Sequence, residues 1–211
     1  MATSPGDSGT GVIARAKMGD NTANESQISI VIKIPPSSHA DDESFAATVA
    51  SIVNAAYTEA ERDIFLPNYQ RTSPTEIAQF IRNGQLAVAY LEDSGHPIGC
   101  VCIKLLGPGR GEFGMLALDA KHQGAGLGRQ LAMFAEAECR RNGCMIMQLE
   151  VLVPKTFHHA GKERMQAWYQ RLGYKVVKLG SFDEDYPELA KILSGPTDYK
   201  IFEKKLVEVV A

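Results

Sequence analysis

Gln123-Gly124-Ala125-Gly126-Leu127-Gly128-Arg129 is the stretch whose reading decides the fold. The apolar run Met115 to Leu118 leads into it, the polar turn Asp119 to His122 precedes it, and a helical pattern begins within it. The stripe Leu127, Leu131, Phe134, Ala135 and Cys139, closed by Arg140-Arg141-Asn142-Gly143, predicts a helix with a basic last turn and a glycine stop. Strand, glycine-rich turn and helix start, in that order, have a physical use. Glycines without a Cβ let a ligand approach the backbone, and unpaired N–H groups at a helix N-terminus favour an anion. Residues 123 to 129 therefore read as a pyrophosphate cradle, a group shared by several nucleotide cofactors.

Spacing narrows the choice. A P-loop requires lysine followed by a hydroxyl residue after its last glycine, and neither is present here. The dinucleotide fingerprint requires glycine or alanine where Arg129 stands, and it opens a βαβ unit. A tight turn with close helix packing is the bland alternative, but three glycines at a helix entrance each cost helix propensity.

Working outward, Ile28 to Ile34 alternates as a first strand, stopped by Pro35-Pro36, and Asp41 to Tyr57 has helical spacing. Residues 1 to 27, rich in Gly, Ser, Thr, Asn and Asp, are expected to stay disordered, leaving 28 to 211 as a single domain. Thr58 to Thr72 mixes Asp63, Phe65, Pro67, Tyr69 and Arg71, which fits a pocket-shaping loop and a plain connector equally. Ser73-Pro74-Thr75-Glu76 predicts a capped helix to about Arg82. Gln85 to Leu91, Pro97 to Leu106 and Glu112 to Leu118, separated by glycine-rich turns, predict an antiparallel meander. Met145 to Val153 is a near-continuous apolar strand broken by Gln148 and Glu150. The crossover helix between Glu112–Leu118 and Met145–Val153 should make those two strands parallel neighbours. A helix from about Lys162 to Leu172, a strand to Leu179, a helix capped by Ser181-Phe182-Asp183-Glu184 and running to Leu193, and a strand from Tyr199 to Leu206 complete the order. The class is α/β, without a repeating βαβ series.

A chain of 211 residues with 45% hydrophobic and 22% charged residues suits an ordinary globular domain. A formal charge of −3 argues against nucleic acid or an anionic membrane as partner. No apolar run approaches the ~20 residues of a membrane span, and the N-terminus lacks a signal-peptide pattern. Cys100, Cys102, Cys139 and Cys144 form no C-x-x-C pair and read as reduced, buried thiols, so the cytoplasm is expected.

Gln123-x-x-Gly126-x-Gly128 resembles the (Q/R)-x-x-G-x-(G/A) motif of the GNAT superfamily of acetyl-CoA-dependent N-acetyltransferases. Ala167-Trp168-Tyr169-Gln170-Arg171-Leu172-Gly173-Tyr174 resembles its late-helix signature, and the order of elements from Ile28 to Leu206 looks like its fold. The resemblance implies a mixed, mostly antiparallel central sheet of about seven strands with flanking helices. Two central parallel strands would splay around acetyl-CoA. It implies that the pantetheine arm pairs with the backbone of Leu116, Ala117 and Leu118, and that the pyrophosphate meets the amides of Gly124 to Arg129.

The same resemblance assigns the chemistry. Glu112, eleven residues before Gln123, stands where histone-acetylating members keep a glutamate base, with Glu150 in reserve. Burial among Gly111, Phe113 and Gly114 would raise its pKa toward a useful range, against a plain solvated strand residue. Tyr169 stands where the family keeps the acid that protonates the leaving thiolate, against a packed core tyrosine. Where members often carry asparagine to contact coenzyme A, this chain has Lys162, which would meet a phosphate instead. His158 and His159 lack partners at metal-ligand spacing and read as exposed loop residues. No metal is expected.

Together these readings predict acetyl transfer to the amine of a small molecule by direct attack in a ternary complex, with a homodimer left open. A non-catalytic acyl-CoA-binding sensor or interaction domain is the alternative, and the presence of both Glu112 and Tyr169 speaks against it.

Overall fold

Apolar alternation and turn chemistry together produce one sheet flanked by helices. The computed structural model describes residues 11–17 and 27–206. The strands are β1 (Val12–Lys17), β2 (Gln27–Lys33), β3 (Leu86–Leu91), β4 (Pro97–Gly107), β5 (Arg110–Leu118), β6 (Ile146–Pro154), β7 (Lys175–Leu179) and β8 (Thr197–Lys205). They lie in the order β1-β2-β3-β4-β5-β6-β8-β7, antiparallel throughout except for the parallel neighbours β5 and β6. The helices are α1 (Glu43–Ala60), α2 (Pro74–Arg82), α3 (Leu127–Arg141), α4 (Ala160–Arg171) and the short α5 (Phe182–Asp185) and α6 (Pro187–Ala190).

Two buried clusters hold the layers together. On one face, Val49, Val53, Ile77 and Ile81 of α1 and α2 pack on Leu86, Val88, Cys100 and Met115. On the other, Leu127, Leu131, Phe134 and Tyr169 of α3 and α4 pack on Ile98, Phe113, Met147 and Leu149. Each fully buried large side chain stabilises the fold by about 1.5–3 kcal/mol relative to exposure. A third cluster, with Ile64, Phe65, Leu152, Tyr199 and Ile201 at its centre, ties the α1–α2 connector to the segment between β7 and β8. All four cysteines are buried and free. Among the described residues no helix is long and apolar enough to cross a membrane.

Helix starts follow local chemistry. The Asp42 carboxylate accepts from the Phe45 N–H at 3.0 Å and opens α1, which runs one turn beyond the expected end. Ser73 accepts from the Glu76 N–H at 3.2 Å with Pro74 at the first helical position. Glu76 turns its own carboxylate to the Thr72 hydroxyl at 2.7 Å instead of closing the box.

Three expectations are corrected. The expected tail contains β1, antiparallel to β2, which raises the strand count to eight. Val12 and Ile13 are exposed, so backbone pairing to a sheet edge holds that strand, and burial gives no sign of it. The remaining residues of that expected tail, 1–10 and 18–26, lie outside the described residues. The single helix expected from Ser181 to Leu193 is two short ones: Ser181 makes no capping bond, and Pro187 starts α6 after Tyr186, which leaves the helical region with φ of −136° and ψ of 62°. His159 is no plain loop residue. Its Nδ1 accepts from the Lys162 N–H at 3.2 Å and caps α4, while His158 pairs with Glu163 at 3.1 Å.

Candidate active site

The parallel pairing of β5 with β6 covers only Arg110 to Glu112 against Ile146 to Gln148. Beyond Glu112 the two strands separate, and no residue of β5 from Phe113 onward pairs with β6. The register of β5 against β4 shifts at the same place, Cys102 facing Gly114 and Cys100 facing Ala117. Met115 carries this bulge with a φ of 47°. Such a conformation costs a non-glycine residue on the order of 1–3 kcal/mol and re-aims the strand. The side-chain alternation inverts across it: Phe113 faces the α3–α4 layer, yet Met115 and Ala117 face α1 and α2, and Leu116 and Leu118 pack toward α3.

The wedge opens into a cavity of about 1360 Å³. Leu116, Ala117 and Leu118 line it along the unpaired edge of β5. Gln123, where the glycine turn begins, lines it as well. Gly124 and Gly126 both have φ of 81°, a backbone state that explains glycine at those two positions. Gly128 differs: a Cβ there would meet nothing closer than 3.8 Å, so neither backbone nor packing demands glycine. The first hydrogen bond of α3 runs from Gln130 N–H to the Gly126 carbonyl at 3.2 Å, leaving the amides of Leu127, Gly128 and Arg129 ahead of it. No side chain caps this end, and its first turn holds no acidic residue. An open, dipole-positive helix end of this kind suits a pyrophosphate. Gln123 braces the turn by donating from Nε2 to the Leu118 carbonyl at 3.3 Å.

Two carboxylates stand where the strands part. Glu112 is only 7% exposed. Its Oε2 accepts from Gln148 Nε2 at 3.2 Å, and the same amide reaches Glu150 Oε1 at 3.5 Å. Burial, and then the charge of Glu150, push the Glu112 carboxyl above its ordinary range, while Lys104, 3.5 Å away, opposes the shift. Glu150 accepts from the Tyr186 hydroxyl at 2.8 Å. Gln148 is braced in turn by Arg110 at 3.4 Å, itself paired with Glu203.

Tyr169 approaches from α4. Its ring packs among Phe113, Trp168, Tyr174 and Phe202. Its side chain also lines the cavity, and burial raises its phenol pKa. Lys162 is placed differently from its expected role. Its Nζ lies 3.1 Å from Glu61 Oε1, both side chains are buried, and the pair joins the end of α1 to the start of α4.

The structure thus brings Glu112, Glu150 and Tyr169 to one cavity, with Gln123 at the start of the glycine turn on its edge. The segment from Thr58 to Thr72 lines it too, through Phe65, Tyr69 and Arg71. Gln148, Tyr57 and Tyr186 were not singled out by sequence reasoning. A polar residue inside an apolar strand was the one signal for Gln148, and nothing local pointed to the two tyrosines.

The sequence profile of the acetyltransferase (GNAT) family matches residues 54–174. No curated protein sequence matches the chain. Among solved structures, the PaiA N-acetyltransferase from Thermoplasma acidophilum in complex with coenzyme A is similar at a TM-score of 0.61 and 17% identity, over 84% of this chain and 99% of that one. Ard1 from Thermoplasma volcanium is similar at 0.58 and 14%, over 85% and 99%. An aminoglycoside 6'-N-acetyltransferase complexed with coenzyme A is similar at 0.57 and 14%, over 79% and 93%. At these identities the likeness concerns the fold, which agrees with a mixed sheet parted at one parallel pair.

Proposed function

Because the chain belongs to the acetyltransferase (GNAT) family, we propose that it moves the acetyl group of acetyl-CoA to the amine of a small molecule by direct attack in a ternary complex. The observation that carries this reading is the wedge itself. It opens beside Glu112 and runs past the unpaired edge of Leu116 to Leu118 as far as Gln123, from which the glycine turn leads to the uncapped amides of α3. Two of the similar structures hold coenzyme A, which supports the choice of donor.

Each residue then has a task. The amides of Gly124 to Arg129 take the pyrophosphate, and the strand edge takes the pantetheine arm. An alkylamine near pKa 10 arrives protonated and must lose a proton before it attacks. Glu112 receives it, directly or through a water, with Gln148 holding Glu112 and Glu150 in place. The nitrogen–carbon bond forms while a strand amide near Leu116 polarises the thioester oxygen, and the carbon–sulfur bond breaks. The Tyr169 hydroxyl gives its proton to the sulfur, and the second proton that the nitrogen sheds as the amide forms restores the phenol. Its raised pKa keeps that proton in place at neutral pH, and the same low-dielectric surroundings raise the basicity of the thiolate.

A library of small amines with acetyl-CoA, read as release of free coenzyme A, tests the reading. At least one amine should stimulate release above the hydrolytic rate. Stimulation by none, together with a basal rate indifferent to loss of the Tyr169 hydroxyl, removes the assignment and favours an acyl-CoA-binding domain without turnover.

A further inference from the structure

The acceptor half of the cavity contains a cation that the transfer chemistry does not use. Arg71 follows the aromatic stretch of the α1–α2 connector, is partly buried, and lines the cavity. Among the described residues no carboxylate oxygen lies within 4.0 Å of it, the nearby Glu61 being held by Lys162 at 3.1 Å. Arg129, Arg164 and Arg171 also lack a carboxylate partner, but they are exposed to water. The Arg71 guanidinium lies 5.4 Å from the centre of the Tyr57 ring. Desolvation works against its charge, its surroundings nonetheless raise its pKa, and the guanidinium stays protonated. The planar guanidinium suits two parallel hydrogen bonds to a carboxylate, and a partly desolvated one gains most from such a partner.

Two further features line the same cavity. Tyr186, whose hydroxyl donates to Glu150, lines it together with Glu112, Glu150 and Arg71. The cavity also has an apolar wall, with the rings of Phe65 and Tyr69 stacked at 4.0 Å and Phe182 beside them. We infer that the acceptor is an amino carboxylic acid with an apolar or aromatic body: its amine is delivered to Glu112 and Glu150, its carboxylate is held by Arg71, and its side chain lies on Phe65 and Tyr69. This rests on the acetyl-transfer reading for the fate of the amine, and on Arg71 alone for the carboxylate. Arg71 is a specificity residue here, with no part in the proton transfers.

Matched pairs differing only by the carboxylate provide the test: L-phenylalanine with 2-phenylethylamine, L-leucine with isoamylamine, and 4-aminobutyrate with propylamine. The reading is the ratio of kcat/KM, acid over amine, in the wild type and in Arg71→Gln and Arg71→Lys. For at least one pair the ratio should be about thirtyfold or more, the scale of an ion pair shielded from water. It should fall to about one in Arg71→Gln through the KM of the acid, and Arg71→Lys should restore part of it, because lysine keeps the charge without the fork. Three outcomes overturn the inference: a wild-type preference for the amines, a ratio that survives Arg71→Gln, or a variant that changes only the KM of acetyl-CoA. If none of these six compounds is acetylated, the transfer reading still stands or falls on the amine library. The melting temperature of the protein loaded with coenzyme A then decides the carboxylate question. A larger rise with an acid than with its matched amine, lost in Arg71→Gln, supports the inference, and equal or absent shifts overturn it.

Discussion

Removing the Tyr169 hydroxyl separates chemistry from packing more cleanly than any other single change. The ring is 9% exposed and packs among Phe113, Trp168, Tyr174 and Phe202, contacts that phenylalanine keeps. Tyr174 is also buried, but its hydroxyl donates to Glu136 at 2.9 Å, so losing it removes one of the bonds that satisfy that buried carboxylate beside Lys204. The Tyr169 hydroxyl, facing the cavity, makes no side-chain hydrogen bond to another described residue. Tyr169→Phe should therefore change stability by no more than about 0.5 kcal/mol, the range of substitutions that disturb no partner. Loss of a general acid removes about 10²- to 10⁴-fold in rate, equivalent to about 2.7–5.4 kcal/mol of transition-state stabilisation. The assay is kcat with a saturating amine, read as coenzyme A release, alongside thermal unfolding of the same preparation. Tyr174→Phe is the control and should lose stability first. A kcat for Tyr169→Phe within about threefold of the wild type, with unfolding unchanged, would refute the acid and leave the tyrosine as packing.

Three other predictions address the remaining parts of the site. Glu112→Gln should lower kcat by about 10²-fold or more and displace the acidic limb of the kcat/KM profile, which in the wild type should lie above the ordinary carboxyl value of 4.5. Because the Glu112 pKa is raised by folding, the native state holds this proton more tightly, and stability attributable to the group falls as pH rises from about 4.5. The variant should accordingly unfold at a higher temperature than wild type at pH 7 to 8, with the difference vanishing below pH 4.5. Gly128→Ala should leave stability unchanged or slightly raised, since the new Cβ meets nothing within 3.8 Å, yet raise the KM for acetyl-CoA. An unaltered KM there would remove Gly128 from the cradle. Lys162→Met leaves the buried Glu61 unpaired and should cost about 3–5 kcal/mol in chemical denaturation, most of it regained when Glu61→Gln is added. A phosphate-binding role would appear instead as a raised KM for acetyl-CoA with little loss of stability.

The sequence by itself determined the local parts. Glycine, proline and capping residues fix turns and helix starts through their own backbone preferences, so the α3 entrance, the Ser73 cap and the β3–β4–β5 meander were legible from residues a few positions apart. The crossover rule then made β5 and β6 parallel neighbours. The motif resemblance singled out Glu112 and Tyr169, but the segment after Ser181 shows the limit of local signals, because Pro187 overrode an apparent capping box. Tertiary structure alone decided three things. β1 exists because a free edge of β2 offers hydrogen bonds, which no periodicity within Val12–Lys17 reports. The bulge at Met115 inverts the facing of β5 and parts it from β6, which alternation along the strand cannot foretell. Lys162 pairs with Glu61, and Arg71 stands without a carboxylate among the described residues, because charges far apart along the chain find or miss each other only when the segments carrying them pack.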